Sequence, residues 1–127
     1  MPQLLGVGVQ SAVLQGRTAS DGSPLADQVT IVVLSEMGRH PRYNVWGGKD
    51  HWTFTSAMLI GAGVRGGQVV GAMDDDFRGL PIELDTGEVR EDGTRLLPEH
   101  LGATLMALAD VDPGDHGEAL PIGALMA

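Results

Sequence analysis

The 127-residue chain contains no cysteine. That excludes disulfides, a thiolate metal site and a cysteine nucleophile, and it leaves the compartment open. Aromatic residues make up only 4%. Basic residues are also few, 8 against 17 acidic, for a formal net charge of −9. Duplex nucleic acid and anionic membranes are therefore poor partners. No apolar stretch reaches the ~20 residues of a membrane span. The opening MPQLLGVGVQSAVLQGR lacks the basic start of a signal peptide, so the chain as it stands reads as cytoplasmic. Internal repeats and heptads are missing too, as are a P-loop, a dinucleotide fingerprint and a nucleophile elbow.

What is present suits a soluble α/β chain of one domain at most. Apolar residues make up 43%, and the 19 glycines point to many turns rather than a helical bundle. Val29–Leu34 is a short apolar run rich in β-branched residues. It predicts a strand buried on both faces, central in a mostly parallel sheet. At Ser35 the character changes. One polar loop holds Glu36, Arg39, His40, Arg42, Asn44, Lys49, Asp50 and His51, broken by Gly38, Pro41, Gly47 and Gly48. Open α/β sheets place ligands beyond the carboxyl ends of such strands.

The remaining elements follow from local signals. Met1–Leu14 reads as a strand or short helix, with Val7, Val9, Val13 and Leu14 as its apolar positions. Residues 15–27 read as loop, with a short helical turn available at Ser23-Pro24. Thr53–Ile60 and Gln68–Ala72 are further strand candidates, separated by glycine-rich turns. Asp74, Asp75 and Asp76 form an acidic knot without the ligand alternation of a calcium loop. Leu80–Leu97 predicts a small antiparallel β-ribbon turning at Thr86-Gly87. Pro98 opens the clearest helix, Glu99–Ala109, with Leu101, Leu105 and Leu108 on its apolar face and Asp112-Pro113-Gly114 as its stop. That helix is expected to flank a face of the sheet. Residues 115–127 read as a terminal strap over the core.

The polar loop supplies the candidate site. Glu36, just past the strand, can reach a metal or a phosphate-bound cation, or pair with Arg39. Arg39 can clamp an oxyanion bidentately, or serve only that pair. Asp50 and His51 offer an oxygen and an imidazole, a mixture suited to zinc or another divalent ion. Otherwise they are a turn carboxylate and a surface imidazole. Neighbours on a strand point opposite ways, so both serve one site only if the loop twists at Gly47 and Gly48. His40, His100 and His116 lack partners at ligand spacing and read as surface residues.

SEMGRHPRYNVWGGKDHW, from Ser35 to Trp52, resembles the signature of the DUF1501 family, an uncharacterised bacterial branch of the alkaline phosphatase and sulfatase superfamily. The family pattern is Ser-Glu-Phe-Gly-Arg-Thr-Pro, an asparagine, then a glycine-flanked Asp-His. Met37 and His40 depart from its commonest letters but keep the spacing. SAMLIGAGVRGGQVVGA and LLPEHLGATLMALADVDP extend the resemblance to about Pro113. It implies that residues 29–127 are an alkaline phosphatase-like C-terminal portion, preceded by a poorly defined segment, 1–28. It further implies a metal-dependent hydrolase-like domain acting on phosphate or sulfate esters, with Glu36 and Arg39 catalytic. Glu36, Asp50 and His51 would be ligands to zinc, manganese, magnesium or calcium in the complete domain.

No stretch matches the superfamily's nucleophile-bearing part. The resemblance therefore implies a fragment that is inactive alone, from a truncated or mis-started gene product or a split domain. Its full-length relatives have export as an open option. The alternative is a non-catalytic remnant or partner-binding half-domain. The missing strands would leave an unpaired sheet edge, a route to self-association.

Overall fold

The structure is a computed structural model and describes Leu14 and residues 16–127. The strand or helix expected over Met1–Leu14 lies outside the described residues except for Leu14, which is buried. The described elements are β1 (Thr30–Leu34), β2 (Gly38–Arg39), β3 (His51–Trp52), β4 (Ala57–Gly61) and α1 (Pro98–Leu108), with 3-10 turns at Leu25–Asp27, Pro113–Asp115 and Gly123–Leu125. No described helix is long and apolar enough to cross a membrane.

The strands form two separate antiparallel pairs. β1 pairs with β4 from Thr30 opposite Gly61 to Leu34 opposite Ala57. β2 pairs with β3, setting Gly38 against Trp52 and Arg39 against His51. The expected parallel sheet is therefore overturned. The neighbour of β1 is the expected one, but its direction is reversed. Apolar composition specifies a strand without specifying its direction. A parallel neighbour needs a crossover connection, usually a helix. Here the segment between β1 and β4 holds the β2–β3 hairpin and no helix, so it brings the chain back antiparallel. β1 is not central either. Val33 and Leu34 are 53% and 59% exposed, and the first three residues of the strand are only half-buried.

The core lies elsewhere. Ile82, Ala103, Thr104, Ile122 and Ala124 are among the buried residues, contributed by the expected ribbon, by α1 and by the terminal strap. Ile82 is the ribbon's centre. Its N–H and carbonyl exchange hydrogen bonds with Thr94 at 2.9 and 2.7 Å, and it also bridges Val89. The ribbon is thus built from single bridges rather than full strands. Gln68–Ala72 forms no strand at all. The strap closes the core as expected: the Ala124 N–H donates to the Leu84 carbonyl and the Arg65 N–H to that of Leu125.

α1 starts one residue earlier than expected, with Pro98 in its first turn. Its buried residues are His100, Ala103 and Thr104, not the leucines. The strap backbone approaches closely enough to bond the Thr104 side chain, which favours small residues on that face. The helix also ends before Asp112. Asp110 adopts φ 57°, and the Val111 N–H returns to the Met106 carbonyl while that of Asp110 returns to Ala107. This is a Schellman cap with aspartate where glycine is usual. No extensive packing of α1 on β1–β4 occurs. It contacts the turn Pro113–Asp115 instead.

Candidate functional site

The β2–β3 hairpin carries the site residues, and two features of its sequence fix it. Gly38 is buried where the chain crosses itself. A Cβ there would lie 2.5 Å from the Trp52 carbonyl oxygen and closer still to that of Phe54, so only glycine fits. Asn44 organises the loop. Its Oδ1 accepts from the Trp46 and Gly48 N–H groups at 3.0 and 2.9 Å, and its Nδ2 donates to Asp50 Oδ1 at 2.8 Å. Gly47 supplies the left-handed residue of this turn, with φ 76°.

Arg39 and His51 are cross-strand partners at the hairpin base, and both are exposed. Arg39 Nη1 donates to the Lys49 carbonyl at 3.2 Å. Its bonding partner is thus the opposite side of the loop. The contact between Glu36 and Arg39 considered from the sequence does not form an ion pair; the recorded pair among the described residues is Arg90–Asp92. Asp50 is held by Asn44, and its backbone carbonyl accepts from the His40 N–H. Glu36 is exposed in the turn before β2. Among the described residues no three His, Asp or Glu side chains assemble into a metal-holding group, so Glu36, Asp50 and His51 do not form one here.

Two histidines differ from their sequence reading. His40 is half-buried against Trp52 and Phe77, with ring centroids 4.7 and 5.6 Å away, both edge-on. Its Nδ1 accepts from the Arg42 N–H. With Trp52 Nε1 donating to the Phe77 carbonyl at 2.7 Å, this cluster ties the hairpin to the loop that follows the acidic knot. His100 is only 8% exposed and works as a helix cap: its Nδ1 accepts from the Leu97 N–H at 3.0 Å. The sequence reading missed this role; the signal for it is Leu97-Pro98-Glu99-His100, which places an acceptor three residues after the N-cap position. His116 is exposed, as expected. The acidic knot is a solvated turn in which Asp74 Oδ1 accepts from the Asp76 and Arg78 N–H groups.

The hairpin also has a feature that composition alone obscured. Tyr43, Val45 and Trp46 protrude from its loop at 73%, 89% and 88% exposure. Lys49 Nζ lies 5.2 Å from the Tyr43 ring centroid. From Gly38 to Trp52 the charges are Arg39, Arg42 and Lys49 against Asp50, a net of +2 in a chain of −9.

A family model described as a protein of unknown function, DUF1501, matches residues 22–114. The chain belongs to the DUF1501 family. The match contains the hairpin, both strand pairs and α1. No curated protein and no solved structure matches the chain.

Proposed function

We propose that the β2–β3 hairpin recognises an oxyanion, the phosphoryl or sulfuryl group of an ester, within a hydrolase-like DUF1501 domain of the alkaline phosphatase and sulfatase superfamily. The observation that carries this reading is the concentration of cationic donors on one ordered hairpin of an otherwise acidic chain. Arg39 spends one donor on the Lys49 carbonyl and keeps the rest of its guanidinium for a ligand. His51 stands opposite it in register, and Lys49 lies just before Asp50 in the returning limb. A guanidinium that grips two ligand oxygens also orients the ester.

The metal part of the expectation fits less well. Glu36, Asp50 and His51 make no three-donor site by themselves. A divalent ion would need donors beyond these three, and the hairpin's own role is anion recognition. The competing reading is a non-catalytic, partner-binding half-domain. The exposed Tyr43, Val45 and Trp46 support it, because protruding apolar side chains mark interaction sites.

Amide shifts of the chain titrated with inorganic phosphate, inorganic sulfate and aryl sulfate separate the two. Saturable shifts centred on Arg39, Lys49 and His51 are expected, and Arg39→Ala should weaken binding about tenfold, the equivalent of one charge-assisted hydrogen bond. Shifts scattered over the surface, or indifferent to Arg39→Ala, would leave the partner-binding reading.

A further inference from the structure

We infer that β1 is a pairing edge and that its partner is β1 of a second copy of this chain, joined antiparallel about a two-fold axis through Val32. The hydrogen-bond alternation of the β1–β4 pair identifies which groups face outward. The Ala62 N–H donates to the Val29 carbonyl at 3.0 Å, so Val29 and Ala62 stand at a narrow, hydrogen-bonded position of the ladder. Narrow and wide positions alternate along an antiparallel pair. Ile31 opposite Ile60 and Val33 opposite Met58 are therefore the next narrow positions. The N–H and carbonyl groups of Thr30, Val32 and Leu34 consequently point away from β4. None of them has a backbone partner outside the β1–β4 pair among the described residues.

This edge lacks the devices that normally prevent pairing. Residues 29–34 include no charge, no proline and no glycine, and β1 carries no bulge. Val33 and Leu34 are more than half exposed at its end. The β4 side is less available, because the Gly61 carbonyl already accepts the Val64 N–H in a turn.

The edge is also self-complementary. With Val32 facing its own copy, Thr30 faces Leu34 of the second copy and Ile31 faces Val33. Each outward-pointing pair can then exchange both of its hydrogen bonds, and a two-fold closes without leaving a further β1 edge. Beyond the strand, Glu36 comes opposite Gln28 of the second copy and Ser35 opposite Val29, so no like charges meet. The result is a four-stranded antiparallel sheet in the order β4, β1, β1, β4.

The test combines sedimentation velocity over a concentration series with residue-specific hydrogen exchange, on the 127-residue chain. A monomer–dimer equilibrium is expected. The amides of Thr30, Val32 and Leu34 should exchange fast in dilute solution and gain protection of tenfold or more when concentrated. Those of Ile31 and Val33 should be protected throughout. Val32→Pro removes an outward N–H while leaving the β1–β4 bonds intact, and proline is tolerated at such edge positions. The variant should stay monomeric with the far-ultraviolet dichroism of the dilute wild type. Where that variant does not fold, exchange in the wild type still decides. A wild-type chain that stays monomeric at every concentration would overturn the inference. So would a dimer in which the three outward amides gain no protection.

Discussion

The hairpin and the terminal core use polar side chains in opposite ways. In the core, the polar groups bond to one another and are hidden. Thr104 Oγ1 donates to the His100 carbonyl at 2.7 Å and accepts from the Ile122 N–H at 2.8 Å, fastening the strap to α1. Among the described residues no buried side-chain polar atom lacks a partner. On the hairpin, Asn44 and Gly38 do the structural work, and Arg39, Lys49, His51 and Trp46 remain exposed. One region closes its hydrogen bonds inward to make stability. The other leaves its side-chain donors exposed to solvent. Such a division separates what a mutation does to folding from what it does to binding.

Ile82→Ala should open the widest gap between the two regions. Ile82 is fully buried, and truncating a core isoleucine costs about 2–5 kcal/mol, a large part of the stability of a small domain. Urea unfolding followed by far-ultraviolet dichroism would show the midpoint fall. A midpoint within error of the wild type would mean that the hydrophobic centre lies elsewhere.

Thr104→Val keeps the shape and removes the hydroxyl, stranding the Ile122 N–H. The cost should be about 1–3 kcal/mol, and Thr104→Ser should recover most of it. Equal losses in the two variants would show that the methyl group matters, not the hydrogen bond.

Gly38→Ala should act on the hairpin alone. The added methyl meets two backbone carbonyls, which cannot rotate aside as a flexible side chain can. The local cost is about 1–3 kcal/mol. Amide shifts of residues 38–52 should collapse while Ile82, Thr104 and Ile122 keep theirs. The oxyanion binding proposed for the hairpin should be lost with it. A loss spread evenly over the chain would refute the independence of the two regions.

The sequence disclosed these regions unequally. The helix, the strap and the turn at Thr86-Gly87 were legible because each carries a local signal: Pro98 in a first turn, a run of small and apolar residues, a turn dipeptide. β1 was legible as a strand for the same reason. Its environment was not, because a run of five apolar residues and one threonine looks alike in a buried parallel sheet and in an exposed antiparallel pair. The direction depended on Ser35–Ser56, whose hairpin rests on the long-range fit of Gly38 under Phe54. The candidate residues Arg39 and His51 were found by type, but their cross-strand register emerges only from that pairing. The aromatic cluster around His40 was hidden because Phe77 lies far along the chain.

The smallest expected effect is a pH dependence at the ribbon turn. Glu83 Oε2 accepts from the Thr86 and Asp85 N–H groups at 2.8 and 3.1 Å, and the Thr86 bond chiefly holds its carboxyl below the ordinary carboxylate value. The ionised form is therefore favoured by the folded turn. Its stabilisation is complete above the unfolded-state value and is lost as acid titrates the carboxylate through its lower folded one. The turn is open to water, so the effect is small, and its pH dependence is confined to the acid range. Glu83→Gln keeps an acceptor oxygen but cannot titrate. Following the Thr86 amide from neutral to acidic pH should reveal a titration in the wild type, with its midpoint below the usual glutamate range, that is absent in Glu83→Gln. A midpoint at or above that range would mean that the two N–H groups do not favour the charged carboxylate, and that this turn, unlike the core, is held by its backbone alone.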